Sequence, residues 1–351
     1  MSTQRSPYAF EVWRPLPFDP LNPGKAERIA DISALCLRRE FAIRRNRGEE
    51  LTLNLNLQAA EKFAVERFGV NGFATLFDEG RNEIRVRRDQ RYLFGVQIGP
   101  TIQDIGTESE SFQITGTNWL SMLNHRFHTT TDPLSYTDVD ISTLILELLA
   151  VAQDGEQANI LLTEGTMAPS RPVTAEFKPY GATMQNMVQE ITDWADSVDI
   201  AVDHERKVNT YYPSQGVDRT DLHFRLGPGG NITHVRLTTD PTQIVNDSVN
   251  RGSGNGLDVT TIETVPNDGS RSYYGQRTRI DDFPATGTGD SARLIASGTE
   301  TVRTYGRPLA IPDITLDDAY PPFLGSYWVG DWVSFDLRSR PSLAKVSDRP
   351  W

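Results

Sequence analysis

The stretch "ELTLNLNLQ" alternates without a break: Leu51, Leu53, Leu55 and Leu57 point one way, Thr52, Asn54 and Asn56 the other. A period of two is the signature of a half-buried antiparallel strand. "NEIRVRRDQRYLFGVQIG" predicts a hairpin with its turn near Arg88 to Gln90, and "SESFQITGTN" a further strand ending at Gly116. One helix interrupts this β-rich opening. In "LQAAEKFAVERFG", Ala60, Phe63, Ala64 and Phe68 fall at helical spacing, and Gly69 supplies the stop.

The period changes after residue 118. "NWLSMLNHRF" predicts a short helix, and "DVDISTLILELLAVAQDG" is the clearest helix of the chain. Its stripe is Ile141, Leu144, Ile145, Leu148, Leu149 and Ala152, with Asp138 or Asp140 able to cap it. A second helix follows in "GATMQNMVQEITDWADS", with Met184, Met187, Val188, Ile191, Trp194 and Ala195 on one face. "VDIAVDHERKVNTYYP" then reads as strand, turn, strand, the turn being Asp203 to Arg206. Strands return in "LHFRLG", "ITHVRLT", "LDVTTIET" and "SYYGQRTRID". One more helix is predicted from about Asp290 to Thr304, and "SYWVGDWVSFDL" offers a last core face of Val329, Val333, Phe335 and Leu337. The order predicts three domains, β-rich over 1–118, α/β over 119–205 and β-rich over 206–351. The third carries a helix-containing elaboration at about 265–320 and a short tail. The fold class is α+β and β-rich.

Composition adds limits. The 351 residues include 27 glycines and 21 prolines, as many short strands require. The N-terminus has no apolar core of a signal peptide, and the longest apolar run, "LILELLAVA", is too short to span a bilayer. A soluble protein made in the cytoplasm is expected. Cys36 is the only cysteine, so no disulfide forms within the chain. Net charge is −12, unevenly spread: residues 1–100 carry 16 Lys/Arg against 13 Asp/Glu, a net of +3, and the remainder nets −15. Such a chain is ill suited to holding nucleic acid by phosphate neutralisation. The arginine clusters "LRREFAIRRNR" and "RVRRDQR" are the local exceptions.

Candidate chemistry is sparse. His125 and His128 have a His-x-x-His spacing, but a zinc site needs a third and usually a fourth ligand, and His204, His223 and His234 are scattered. No metal is expected. "TGTGDSA" matches G-x-G-x-x-A through Gly287, Gly289 and Ala292, yet "RIDDFPA" before it is polar and broken by proline, so the dinucleotide-binding context is missing. There is no nucleophile elbow or Walker A loop. The carboxylate pairs Asp138/Asp140, Asp281/Asp282 and Asp317/Asp318 define no cleft. Neither a catalytic site nor a cofactor is expected.

Taken in order, several stretches resemble the tail-hub family of long-tailed bacteriophages, also called baseplate hub or minor tail proteins. They are "FQITGTNWLSMLNHRF", "TDVDISTLILELLAVAQ", "GATMQNMVQEITDWADSVDIAVDHERKV", "TQIVNDSVNRGSG", "DGSRSYYGQRTRIDDFP" and "VGDWVSFDL". The N-terminal "ERIADISALCLRREFAIRRNRGEELTLNLNL" is similar to the family's opening. The resemblance covers residues 25–338. It implies two tail-tube-like β-barrel domains flanking the α/β domain, and a homotrimer whose six barrels adapt a threefold tip to hexameric tail rings. It also implies a place at the virion tail tip after assembly in the host cytoplasm. Neighbours would be a distal tail protein or tail-tube ring and other tail-tip proteins. Genomic DNA would pass through without specific binding, and contact with the host envelope would be indirect. The acidic remainder is then expected to face the channel or solvent, since carboxylates repel phosphate. Arg38, Arg39, Arg44, Arg45, Arg85, Arg87 and Arg88 are the candidate inter-subunit contacts. Relatives with a C-terminal hydrolase or host-binding module are longer than this chain, so those activities do not carry over. Two competing readings remain. One is a carbohydrate- or receptor-binding protein with a platform of Trp119, Trp194, Trp328, Trp332, Tyr273 and Tyr274; the other is a cell-wall hydrolase.

Overall fold

A computed structural model describes residues 8–16, 25–106, 110–154, 160–194, 197–252, 261–283, 291–317 and 319–337. The first region is one antiparallel sheet of seven strands: β1 (Tyr8–Pro15), β2 (Ala26–Asp31), β3 (Cys36–Arg44), β4 (Gly48–Asn56), β5 (Glu83–Arg88), β6 (Arg91–Ile105) and β7 (Glu110–Thr117). Their spatial order is β2-β1-β5-β6-β7-β4-β3. The alternation in β4 does what a period of two demands, burying Leu51, Leu53 and Leu55 in the core. Burying each such side chain contributes about 1.5–3 kcal/mol. Asn56 ends the strand because its side chain accepts from Ala59 N at 2.9 Å and so opens a helix, α1 (Leu57–Phe68). Leu57 therefore reaches the core from that helix's first turn. Gly69, at φ 81°, closes α1 as expected, and a short α2 (Gly72–Leu76) follows. The expected hairpin is β5–β6, turning at Asp89 and Gln90.

The middle region starts with a 3₁₀ helix, Trp119–His125. It continues through β8 (Leu134–Asp140), α3 (Ile141–Ala152), β9 (Thr163–Glu164), β10 (Pro172–Phe177), α4 (Met184–Thr192), β11 (Asp199–Val202) and β12 (Lys207–Tyr211). Asp140, not Asp138, is the cap of α3: its side chain accepts from Ser142 N and Thr143 N. All six residues of the expected α3 stripe are buried. So are Met184, Met187, Val188, Ile191 and Trp194; Ala195 lies outside the described residues. The β11–β12 hairpin crosses the expected boundary at residue 205, for Val208 of β12 is buried in the same core as α3 and α4.

The last region holds β13 (Asp218–Arg225), β14 (Ile232–Asp240), β15 (Asp247–Arg251), β16 (Ile262–Pro266), α5 (Asp268–Tyr274), β17 (Thr278–Asp282), α6 (Ser291–Tyr305), β18 (Leu309–Leu316) and β19 (Trp332–Asp336). Three small sheets form: β13 with β19, β14 with β18, and β16-β15-β17. "SYYGQRTRID" is not one strand. Asn267 accepts from Ser270 N and so starts α5, which consumes Tyr273 and Tyr274; Gly275, at φ 75°, stops it before β17. The expected late helix is α6. Val333, Phe335 and Leu337 meet Phe224 and Ile232 in a small core. The architecture is β-rich α+β, and among the described residues no sheet closes on itself. The expected tail, from residue 338 on, lies outside them.

Candidate functional site: the seam between the three cores

The side chains that chemistry would single out line the seam between regions. Glu83 on β5 is fully buried and takes two guanidinium groups. Arg85, from its own strand, donates Nε to it at 2.7 Å. Arg206 reaches it from the β11–β12 turn with Nη2 at 2.9 Å, and donates Nη1 to Ile160 O at 3.0 Å. An indole lies against each cation, Trp13 at 4.1 Å from Arg85 and Trp119 at 5.2 Å from Arg206. A carboxylate buried on this scale is tolerable only with such partners.

A second joint lies beside it. The turn between β3 and β4 hooks onto β11: Arg45 Nε and Asn46 Nδ2 donate to buried Asp199 at 2.7 and 3.0 Å, and Ile200 N donates to Asn46 Oδ1 at 2.9 Å. Asp199 also accepts Gln215 N at 2.7 Å, which ties in the chain leading to β13. Tyr92 stacks on His204 with ring centroids 4.5 Å apart, and its hydroxyl donates to buried Glu11 at 2.7 Å. Burial, with help from Arg85, holds His204 below its ordinary pKa, so it is neutral at pH 7. The regions approach so closely here that a Cβ on Gly95 would lie 2.5 Å from Trp119 Cη2. The last region docks through Arg91, which donates to Gly325 O at 2.7 Å, and through Arg293 of α6, which lies 3.3 Å from the Trp194 ring.

All three regions line a cavity of about 370 Å³ at this seam. Glu49 is its most perturbed group. Burial pushes its pKa to about 7, although Asn118 donates a hydrogen bond to it. Tyr327, Trp328 and Asp331 also line the cavity. Asp331 is committed to backbone, accepting Val217 N and Trp328 N, so it holds a loop rather than doing acid–base work.

The histidines of the His-x-x-His pair part company. His128 is buried with Nε2 2.7 Å from Asp132 O, whereas His125 is exposed. Among the described residues no three His, Cys, Asp or Glu side chains cluster as metal ligands. Gly287 and Gly289 lie outside the described residues, as does Asp318; Ala292 sits in the first turn of α6. Asp281 and Asp282 pair with Arg279 and Arg251. Cys36 is buried, and burial raises its thiol to about 11, which leaves it un-ionised at neutral pH. No described helix is long and apolar enough to cross a membrane.

The seven arginines are dispersed by function. Arg85 is inside the seam, and Arg88 is buried against Tyr8 and Phe323. Arg87 turns toward Glu11, Arg39 donates to Ser33 O and Cys36 O, and Arg45 holds Asp199. Arg38 and Arg44 remain on the surface, beside Glu40 and Glu50. The seam residues Glu83, Arg206, Asp199 and His204 carried no sequence motif. The one available signal was an odd one: a glutamate opening a strand otherwise lined with arginines.

No family model matches this chain, and no curated protein does. Solved structures do. The tail protein from Neisseria meningitidis MC58 aligns over 93% of this chain and 86% of its own, with TM-score 0.57 and 11% identity. The fold is that of phage tail proteins. The prophage MuSo2 43 kDa tail protein from Shewanella oneidensis gives TM-score 0.57 at 10% identity, over 93% of this chain and 88% of its own. The prophage tail protein gp18 from Listeria monocytogenes EGD-e gives 0.53 at 11%, over 93% and 84%. At these identities the likeness is one of backbone architecture.

Proposed function

We propose that the chain is a non-catalytic structural protein of a phage-type tail, three copies of which form the hub of the tail tip. The observation that carries this reading is the fold likeness to three tail proteins over 93% of the chain. The seam supports it. Buried ion pairs that fix the first and middle regions against each other, and the stacked Tyr92 and His204 rings beside them, suit a part that transmits load. In the assembled ring the first and last regions act as the two tube-like modules of each copy, and the unpaired edges of β2 and β3 meet strands of neighbouring copies. Of the seven candidate arginines, Arg38 and Arg44 make the contacts between copies, while Arg85 and Arg88 serve inside the chain. The acidic surface of residues 101–351 faces the channel and keeps passing DNA from sticking. A distal tail protein or tail-tube ring is the axial neighbour. Native mass spectrometry and electron microscopy of the purified protein test the reading. A trimer seen as a threefold ring with a central hole is expected; a species that stays monomeric at every concentration and without a hole overturns it.

A further inference from the structure

The aromatic residues expected to form a sugar platform do not convene: Trp119 and Trp194 are buried and Trp328 lines the seam. One pair stands apart. Tyr273 and Tyr274, the last two residues of α5, meet edge to face with centroids 4.7 Å apart, and Tyr273 is 81% exposed. They border a hollow of about 400 Å³ whose other walls are Asn267 and Arg307, with Gly269 and Gly306 presenting bare backbone between them. Ser270 is taken, accepting from Asn246 Nδ2 and donating to Gly306 O. Asn267 Oδ1 is taken by Ser270 N. Asn267 Nδ2, the Arg307 guanidinium and both tyrosine hydroxyls have no hydrogen-bond partner among the described residues.

We propose that this hollow binds a saccharide residue bearing a carboxylate, a site separate from the seam and from the contacts between copies. A pyranose has an apolar C–H face and a rim of hydroxyls, and the hollow has the complement of both. The exposed Tyr273 ring takes the apolar face, while Asn267 Nδ2 and the tyrosine hydroxyls meet the rim. The planar fork of Arg307 selects a carboxylate on the sugar, since bidentate guanidinium–carboxylate pairing is stronger than pairing with a neutral hydroxyl. A concave site of this size, with aromatic walls and a few convergent polar groups, fits a small ligand better than it fits a flat protein surface.

Saturation-transfer NMR on the full chain, with D-glucuronic acid and D-glucose as probes, tests this. Saturation transfer to glucuronic acid is expected, and Tyr273→Ala, at a position too exposed to disturb folding, abolishes it. Arg307→Gln weakens glucuronic acid roughly tenfold and leaves glucose unchanged, because only the charged partner is lost. The proposal is overturned if neither sugar receives saturation, if the signal survives Tyr273→Ala, or if glucose binds as tightly as glucuronic acid. Native mass spectrometry of Tyr273→Ala separates this from the hub reading. A variant that loses its trimer marks the hollow as a protein contact and overturns the saccharide site alone. Sugar binding by a strictly monomeric wild type keeps the site and overturns the hub.

Discussion

Seven strands of the first region share one sheet, and their buried side chains form a single core that runs from Phe10 on β1 to Ile114 on β7. The last region distributes its strands over three small sheets; among its described residues one small core gathers Phe224, Ile232 and Leu337, and Ile244, Val245, Leu294 and Val302 are buried outside that cluster. The first is held by apolar burial, which grows with the number of side chains enclosed. The last depends on polar ties and on its neighbours. Asn246 alone donates to Ser270 and Gly275 and accepts from Arg277, while Arg293 and Phe283 lean on the middle core. A region of this kind keeps its shape by docking, so the seam is a condition of its stability.

The sharpest way to break the contrast is at the seam. Glu83→Ala leaves Arg85 and Arg206 buried without their counter-charge, and a loss of about 3–5 kcal/mol is expected in urea unfolding. The last region is expected to lose hydrogen-exchange protection first. Next, Phe112→Ala and Phe224→Ala delete the same side chain from the two cores, each at about 3–5 kcal/mol. The expected difference lies in its reach: Phe112→Ala lowers the main unfolding transition, whereas Phe224→Ala releases exchange only in 218–240 and 309–337.

The third prediction concerns pH. Glu49 is ordinarily half-ionised near 4.5 and in the fold near 7, so the folded state holds an extra proton between those values. Its contribution to stability is complete below pH 4.5, declines as pH rises, and is gone above about 7, a swing of about 3 kcal/mol. Glu49→Gln, which can still accept from Asn118, is expected to flatten that part of the stability–pH curve and to be the more stable form at pH 8. Denaturant midpoints at pH 5 and pH 8 measure it. Asp140→Ala removes the cap of α3 and is expected to lower the melting transition through a loss of about 1 kcal/mol. Smallest of all, Arg38→Ala is expected to change stability by less than about 0.5 kcal/mol, since its pair is on the surface. A weakened trimer by native mass spectrometry is where its effect should appear.

Local periodicity made much of the fold legible. The α3 and α4 stripes, the β4 alternation and the β5–β6 turn are each set by residues a few positions apart, so the sequence displays them directly. The seam was not legible, because its pairs are remote: Glu83 and Arg206 are 123 residues apart, and Arg45 and Asp199 are 154. Arg206 could be placed in a turn, but nothing local says that a turn residue is buried. The same limit applied to α5, where a polar segment was taken for strand; its helix rests on one asparagine cap and one glycine stop.

Glu83 leaves the ribosome long before Arg206 does. Until the later residue arrives, the carboxylate has only Arg85 beside it and an open side facing water. The growing chain therefore completes its first sheet with an unfilled socket, and synthesis of the β11–β12 turn supplies the plug. A chain that ended between Thr117 and His204 would hold a tyrosine without its stacking partner and a glutamate without its second cation.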